Sequence, residues 1–369
     1  MWRDKQIKFL TESEFSESEL INVLKEDCSN FENNSEKKIL QQIIDDFEKK
    51  DFSLLSTLEI SYLTRNSKEK WTPYLIHRHK FHFYENNMQI PDFPLYLILE
   101  PVSACNLRCP FCMQIDEKFT SNQKMMGMME LDLFKKIIDE AHEYGTQAIT
   151  LTGRGEPTLH PKLGEMLEYC SGKFIEFKMN TNATLLNEKL IHQILKNGMT
   201  DLVFSVDSYY KEEFESLRVN ANFEKVVENI KKFKQIRDEF YPNSNCVTRA
   251  SGVQVSEKQD AKKFEKFWKE YVDFVVMVRM IHRWDLYNNT KDMAAITPCH
   301  YLGRNLSIYF DGSTNPCDID YEGKLVIGST KNSTIRDLWN GEKYKQIFDA
   351  HKNNTRQKFF PCDRCPVGT

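Results

Sequence analysis

The most informative absences in this sequence concern membranes, export and charge. No apolar run approaches the length of a membrane span, and the first residues, Met-Trp-Arg-Asp-Lys, do not lead into the apolar core of a signal peptide. We therefore expect a cytoplasmic protein without a membrane partner. The net charge is only −4, so electrostatics give no reason to expect nucleic acid or an anionic membrane as the main partner.

Length and composition describe a globular protein with more than one domain. The chain has 369 residues, of which 40% are hydrophobic and 28% charged, which is typical of soluble globular proteins and suggests two or three domains. It also contains ten cysteines. In a reducing cytoplasm, cysteines are more often metal ligands than disulfide partners. The cysteines are therefore the first candidates for function.

The amino-terminal region, residues 1–90, is polar and has the apolar spacing of small amphipathic helices. One segment in it, Leu75–Tyr84, contains the histidines His77, His79 and His82. No carboxylate or cysteine nearby completes a metal-binding set. We therefore predict a strand or loop with exposed histidines here.

From residue 95 onward the pattern changes to strands that alternate with amphipathic helices. The predicted strands are Leu95–Glu100, Ala148–Thr152, Phe174–Asn180, Leu202–Val206, Arg249–Val255 and Phe274–Met280. Repeated strand–helix units of this kind form parallel sheets with right-handed crossovers. Eight units close a TIM barrel, so these six predict an α/β fold with an open, partial (βα)6 barrel of the TIM type over residues 91–290.

The first predicted strand leads into a C-x₃-C-x₂-C sequence formed by Cys105, Cys109 and Cys112. In parallel α/β sheets, chemistry is found at the carboxyl ends of the strands, which is where this loop would lie. A [4Fe–4S] cluster normally takes four cysteines. Three cysteines would leave one iron open to a ligand that is not protein. The spacing alone also fits a zinc site or a chance cluster.

This arrangement resembles the radical S-adenosylmethionine (SAM) family, in which such a loop follows the first strand of a partial barrel. Phe111 matches the family's aromatic residue before the last cysteine. The resemblance implies that SAM chelates the open iron of a [4Fe–4S] cluster. It further implies that an electron from a donor such as flavodoxin or ferredoxin cleaves SAM to a 5′-deoxyadenosyl radical, which abstracts a hydrogen atom from the substrate.

The segment Thr152-Gly-Arg-Gly-Glu-Pro157 resembles the family's Gly-Gly-Glu-Pro motif. By that resemblance Glu156 accepts a hydrogen bond from the SAM ammonium group, and Gly155 permits a close approach of the backbone. Arg154 stands where the family usually has glycine.

The next two strands carry further matches to SAM-binding positions. Asn180-Thr-Asn182 resembles the family's Thr-Asn-Gly turn, with Ala183 in place of the glycine. Ser205 and Asp207 fit the ribose-binding motif, since alternate residues share one face of a strand. An alternative for Asp207 is that it caps the following helix.

Two more positions complete the expected SAM site. Arg218 matches an arginine that pairs with the SAM carboxylate in some subfamilies, although an arginine here also fits a solvated face. Val253 lies in the strand segment 251–255, where the family usually holds adenine by backbone groups.

A second set of cysteines follows the barrel: Cys299, Cys317, Cys362 and Cys365. By spacing alone they fit a zinc ribbon or an iron–sulfur cluster equally well. The C-x₁₂-G-x₄-C element around Gly312 resembles the opening of the SPASM or twitch domains of radical SAM enzymes. Four cysteines suit the single-cluster twitch form, so the resemblance implies one fully ligated auxiliary [4Fe–4S] cluster in residues 291–369.

The resemblance leads to an oxidoreductase as the first functional hypothesis. The substrate would be a sugar, cyclitol or nucleotide sugar, oxidised at a hydroxyl-bearing carbon while the auxiliary cluster accepts one electron. A base or hydrogen-bond partner is expected near the carboxyl end of the last strand. The candidates are Arg279, His282, Arg283 and Tyr301, although solvated charged residues explain the same pattern.

Three other functions stay open at this point. A peptide or protein maturase is possible if residues 1–90 bind a leader or partner protein. An epimerase would need a cysteine to return a hydrogen atom, but Cys170 reads as a core residue of a helix and Cys246 precedes the fifth strand, at the far end of the barrel. The last alternative is a non-catalytic iron–sulfur module.

Overall fold

The structure is a computed structural model that describes residues 16–32, 34–280 and 286–368. The chain divides into two compact units, Met1–Asn87 and Met88–Thr369. Within the described residues, no helix is both long enough and apolar enough to cross a membrane.

The first unit is helical, as the amphipathic spacing predicts. Its helices are α1 (Glu17–Asn30), α2 (Asn34–Glu48), α3 (Thr57–Arg65) and α4 (Trp71–Asn87). Helices α1, α2 and α4 contact one another, and their apolar stripes are buried between them, with Leu20, Leu24, Ile43 and Ile44 almost completely covered.

The prediction of a strand or loop over Leu75–Tyr84 is wrong, because this segment lies inside α4. The expected exposure is also wrong for His77, which is 2% exposed. Aromatic and histidine side chains are weak helix formers. Here the apolar contacts of Tyr74 and Leu75, both buried, outweigh that propensity and fix the helix against its neighbours.

The second unit contains the barrel, and all six predicted strands are present. They are β1 (Tyr96–Leu99), β2 (Ala148–Leu151), β3 (Glu176–Thr181), β4 (Asp201–Ser205), β5 (Val247–Gln254) and β6 (Phe274–Arg279). Each pairs in parallel with the next, in sequence order from β1 to β6. The α/β fold class and the partial barrel of the TIM type are therefore confirmed.

Helices cover the outer face of this sheet. The short helix α5 (Glu117–Thr120) lies in the loop after β1 instead, where Phe119 packs near Arg154 and Tyr321. The covering helices are α6 (Leu131–Glu143), α7 (Leu163–Cys170), α8 (Glu188–Lys196), α9 (Lys211–Leu217), α10 (Phe223–Phe240) and α11 (Ala261–Trp268). Their apolar stripes pack on outward-facing strand residues such as Leu97, Phe177 and Leu202 to form one core. The opposite strand face carries polar side chains, among them Asn180 and Ser205.

The carboxyl-terminal region continues the same sheet on the other side of β1. Strand β7 (Asn305–Ile308) pairs in parallel with β1, and β8 (Ser313–Asn315) and β9 (Gly328–Ser329) follow as antiparallel strands. Gly312, in the turn before β8, has φ = +82°, a conformation that favours glycine. Helices α12 (Ile335–Trp339) and α13 (Glu342–Lys352) complete the unit.

Candidate active site

A cavity of about 330 Å³ lies where β1 to β4 end. Most of the residues that border it come from the last positions of these strands and the loops after them, which is where the fold predicts the chemistry. They include most of the predicted site residues of the barrel: Cys105, Cys109, Phe111, Cys112, Gly155, Glu156, Asn180, Asn182, Ser205 and Arg218.

The three barrel cysteines border this cavity, and two of them, Cys105 and Cys109, accept hydrogen bonds there. The backbone N–H of Leu107 donates to Cys105 Sγ at 3.4 Å, and Arg218 Nη1 approaches Cys109 Sγ at 3.8 Å. Burial raises the pKa of all three thiols, that of Cys112 to about 12. A metal group must therefore displace their protons on binding. Three cysteines of one short loop that border the same cavity fit a three-cysteine iron–sulfur cluster.

Gly155 allows the loop after β2 to lie directly on the cysteine loop. A Cβ atom at this position would stand 2.3 Å from the Ala104 carbonyl oxygen and 2.5 Å from that of Val102. The neighbouring Glu156 N–H donates to the Ala104 carbonyl at 2.9 Å. The close backbone approach expected from the motif is therefore used to pack two site loops together.

Glu156 is the best-anchored carboxylate of the cavity. Its Oε1 accepts from the hydroxyls of Thr158 (2.6 Å) and Thr181 (2.7 Å), and its Oε2 accepts from the Asn182 N–H (2.7 Å). Burial raises its pKa, and these hydrogen bonds act in the opposite direction. The network ties the carboxylate both to the segment after β2, through Thr158, and to the end of β3, through Thr181 and Asn182, with the group at the cavity wall.

The turn after β3 keeps the backbone shape that the family obtains with glycine. Ala183 has φ = +61°, in the left-handed region that costs an alanine roughly 1–2 kcal/mol. Asn182 donates to Asn106 Oδ1 at 2.9 Å and lies 3.9 Å from Cys105 Sγ, which ties this turn to the cysteine loop. The Oδ1 of Asn180 is buried without a hydrogen-bond partner among the described residues.

Asp207 and Arg218 form a buried ion pair behind the cysteines. Arg218 Nε donates to Asp207 Oδ2, and Asp207 Oδ1 accepts from the Val253 N–H at 2.8 Å. Burial alone would lower the pKa of Arg218, but the Asp207 carboxylate raises it above the ordinary value. Asp207 therefore orients Arg218 and does not itself border the cavity.

Val253 contacts Asp207 and does not border the cavity. Its N–H is taken by Asp207 and its carbonyl oxygen accepts from Gln259 Nε2 at 3.0 Å. Both of its polar backbone groups are thus engaged within the chain. The ribose role of Asp207 and the adenine role of Val253 stay predictions.

Arg154, the departure from the family motif, has a place of its own in the cavity wall. It is 6% exposed and pairs with Glu100 at the end of β1. Its Nη1 donates to the Tyr321 carbonyl at 3.1 Å, and its guanidinium lies 3.9 Å from the centre of the Tyr309 ring. The motif alone did not reveal this connection between the barrel loop and the carboxyl-terminal region.

The four carboxyl-terminal cysteines form a second group. Negative charge on Cys365 would raise the pKa of Cys299, and charge on Cys299 or Cys362 would raise that of Cys317, so the four sulfurs lie in one neighbourhood. Burial raises the pKa of Cys299 to about 11 and that of Cys362 to about 12, while Arg356 acts to lower both. Four cysteines complete the ligand set of a [4Fe–4S] cluster.

Neither cysteine group converges on one point. In the part of the chain that the structure describes, no three His, Cys, Asp or Glu side chains are arranged to hold a single metal ion. A cubane cluster binds each cysteine through a different iron, so its ligands stand apart around a cage.

The two cysteine groups are connected through one short segment. Asp318 and Ile319 directly follow Cys317 and border the same cavity as Cys105, Cys109 and Cys112. Sequence reasoning did not select Asp318. Its position next to a predicted ligand was the only available signal, and spacing does not show which way that loop faces.

Of the predicted catalytic residues, the structure describes Arg279 and Tyr301, and both lie outside the set that borders this cavity. Arg279 is exposed at the end of β6. Tyr301 packs beside Cys317 on a small cluster that contains Ile319 and Cys365, and neither residue borders the cavity as the structure describes it. His282 and Arg283 lie outside the described residues.

Comparison with known proteins identifies a domain around each of the two cysteine groups. The sequence model of the Radical SAM superfamily matches residues 99–248, and that of the iron–sulfur cluster-binding domain SPASM matches residues 299–366. The tungsten-containing aldehyde ferredoxin oxidoreductase cofactor-modifying protein of Pyrococcus furiosus is 34% identical over 113 residues, 30% of each chain. The subtilosin biosynthesis protein AlbA of Bacillus subtilis is 30% identical over 127 residues, 34% of this chain and 27% of AlbA. The alignments thus span less than a third of these two relatives.

Among solved structures, SuiB of Streptococcus suis bound to SAM superposes with a TM-score of 0.56 at 16% identity, covering 93% of this chain and 91% of SuiB. At this identity the likeness shows the fold. The two matched domains bind, respectively, a [4Fe–4S] cluster together with SAM, and an auxiliary iron–sulfur cluster. The chain belongs to the radical SAM superfamily and carries a carboxyl-terminal SPASM-type domain.

Proposed function

We propose that this protein cleaves SAM reductively to a 5′-deoxyadenosyl radical and uses it to oxidise a hydroxyl-bearing carbon of a sugar, cyclitol or nucleotide sugar. The observation that carries the proposal is that Asp318 and Ile319, next to Cys317, border the cavity of Cys105, Cys109 and Cys112. When bound, SAM and its cluster supply the hydrogen-abstracting radical, and the auxiliary cluster supplies an acceptor for the second electron.

The chain's own residues have distinct tasks in this proposal. Cys105, Cys109 and Cys112 hold the first cluster, and Glu156, fixed by Thr158 and Thr181, orients the SAM ammonium group. Arg218, held by Asp207, offers its guanidinium to the SAM carboxylate, since Arg–carboxylate pairs combine charge with directional hydrogen bonds.

Asp318 is our proposed proton acceptor. Oxidation of a secondary alcohol removes one hydrogen atom from carbon, one proton from oxygen and one electron, which leaves a ketone. The radical takes the hydrogen atom, and a base at the cavity wall must take the proton. Asp318 is a carboxylate at that wall, directly beside a proposed ligand of the electron acceptor.

Modification of a peptide side chain is the second candidate. The match to AlbA, a protein of antilisterial bacteriocin biosynthesis, favours it. Epimerisation has less support, because it needs a cysteine at the cavity to return hydrogen. Cys170 and Cys246 are 1% and 2% exposed in the packed core of the barrel unit, and Cys28 is buried in the helical unit.

An anaerobic assay with reconstituted protein, SAM and a chemical reductant tests the proposal. A panel of polyols, amino sugars and nucleotide sugars is compared with a panel of peptides, and both 5′-deoxyadenosine and product mass are measured. We expect a product two mass units lighter than a hydroxylated substrate, formed in a one-to-one ratio with 5′-deoxyadenosine. A modified peptide without any sugar oxidation would contradict the proposal and support the second candidate.

A further inference from the structure

His351 lies against the backbone of Cys299, one of the four carboxyl-terminal cysteines. It is in the last turn of α13 and is 1% exposed. Its Nδ1 stands 3.2 Å from the backbone nitrogen of Cys299. A backbone N–H only donates, so Nδ1 is the acceptor of this hydrogen bond and carries no proton.

This hydrogen bond fixes the position of the imidazole proton. With Nδ1 unprotonated, the ring proton is on Nε2, which is then a donor. Nε2 is buried and has no hydrogen-bond partner among the described residues. A buried donor without an acceptor costs about 1–3 kcal/mol. The site therefore favours an acceptor that the described side chains do not supply.

Arg356 is a buried cation beside the same cysteines, and it favours a negative charge nearby. It is 5% exposed, and among the described residues its guanidinium donates to the backbone carbonyls of Thr297, Cys362, Cys365 and Val367. No carboxylate pairs with it in the described part of the chain. A buried cation is costly unless a negative charge lies nearby. Four thiolates bound to an iron–sulfur core bring both the negative charge and the acceptor sulfurs.

We propose that the Nε2–H of His351 donates a hydrogen bond to a sulfur of the auxiliary cluster held by Cys299, Cys317, Cys362 and Cys365, and so raises its reduction potential. The inference rests on the proposed function of those four cysteines. A hydrogen bond to a cluster sulfur stabilises the added negative charge of the reduced state. His351 is in this sense a positioning residue that makes the auxiliary cluster a better electron acceptor.

The test uses the full chain with Cys105, Cys109 and Cys112 replaced by alanine, so that only the auxiliary site holds iron. Two substitutions separate the ring nitrogens. His351→Asn keeps an acceptor near the place of Nδ1 for the Cys299 N–H and removes the Nε2 donor. His351→Gln carries its amide N–H₂ near the place of Nε2 and retains the donor. Lys352→Ala, at the neighbouring exposed position, is the matched control.

The readouts are iron content and a redox titration followed by electron paramagnetic resonance. We expect about four irons per chain in every variant, a lower potential in His351→Asn, and recovery of most of the shift in His351→Gln. An unchanged potential in His351→Asn at full iron content overturns the inference, while the assignment of an auxiliary cluster to the four cysteines remains supported. Absence of iron in the triple-alanine background overturns the auxiliary site itself, and the inference with it.

A second measurement needs no substitution at His351. Pulsed paramagnetic resonance of the reduced auxiliary cluster, with all histidines labelled with ¹⁵N, reports a histidine nitrogen hydrogen-bonded to a cluster sulfur. We expect a ¹⁵N coupling. A spectrum without it overturns the inference even if the His351 variants fail to fold.

Discussion

Glu100 and Arg154 form a two-point ion pair that is almost completely shielded from water. Arg154 Nη2 lies 2.6 Å from Glu100 Oε1 and Arg154 Nε lies 2.7 Å from Glu100 Oε2, with side-chain exposures of 5% and 1%. Glu100 Oε1 also accepts from the Phe310 N–H at 3.3 Å. The pair therefore joins the end of β1, the loop after β2 and the carboxyl-terminal region in one contact.

Replacement of Arg154 by Met tests this contact. The substitution leaves the Glu100 carboxylate buried without its cation, and breaking a buried pair in this way costs about 3–5 kcal/mol. Arg154→Lys should lose less, because it keeps the charge but not the two-point geometry. Anaerobic urea unfolding measures both.

The control is Lys211→Ala, which breaks two solvent-accessible pairs, with Glu215 and Glu224, and should change the free energy of unfolding by about 0–1 kcal/mol per pair. If Arg154→Met cost no more than this control, the ion pair would not hold the two regions together.

Gly155→Ala should dislodge the cysteine loop. The new Cβ would stand 2.3 Å from the Ala104 carbonyl oxygen, and backbone cannot move aside without shifting Cys105. We expect loss of iron from the barrel site at normal iron content of the auxiliary site. In the control, Gly164→Ala, the new Cβ meets only the amide end of the Gln193 side chain. Equal iron content in the two variants would contradict this account.

Cluster retention should rise with pH. Burial raises the pKa of Cys105, Cys109 and Cys112 in the metal-free protein, so folding favours their protonated thiols. That contribution to metal-free stability is fully present below the unfolded thiol pKa and is lost as pH rises through the folded values. Cluster binding needs thiolates, so the affinity for the cluster increases as the pH rises.

A chelator challenge measures this dependence. We expect iron to be retained longer at mildly alkaline than at mildly acidic pH, and metal-free protein to lose this contribution to stability only as the pH rises above the ordinary thiol pKa. Retention that is independent of pH would mean that the thiols are already ionised before the cluster binds.

Asp318→Asn tests the proposed proton acceptor. The amide keeps the shape of the side chain but cannot take a proton. We expect 5′-deoxyadenosine to form while ketone formation falls by about 10²–10⁴-fold, the usual contribution of a general base. Alkaline pH should partly restore the variant, since the substrate hydroxyl then loses its proton more easily. An unchanged rate of oxidation would place the base elsewhere.

The sequence predicts the barrel well because its information is local. The alternation of strand and amphipathic-helix patterns located β1 to β6 and the helices between them, such as α6, whose Phe134, Ile137 and Ile138 are buried. The spacing of Cys105, Cys109 and Cys112 indicated the first cluster site for the same reason, since one short loop supplies all three ligands.

What the sequence did not predict depends on contacts between distant segments. The pairing of β7 with β1 and the contact of Arg154 with Tyr309 join residues more than a hundred positions apart, and no periodicity encodes them. Helix α4 was missed because burial, rather than helix propensity, stabilises it. The orientations of Asp318 and His351 likewise follow from the packing of the carboxyl-terminal region.

The central claim is that the auxiliary site takes an electron from a substrate radical formed in the neighbouring cavity. Cys317→Ala tests it most directly, with the buried non-ligand Cys246→Ala as control, by following 5′-deoxyadenosine and oxidised product together under anaerobic conditions. The account predicts that Cys317→Ala still cleaves SAM but yields no ketone, while the control does both. Oxidation by Cys317→Ala at the rate of the unmodified protein would contradict it.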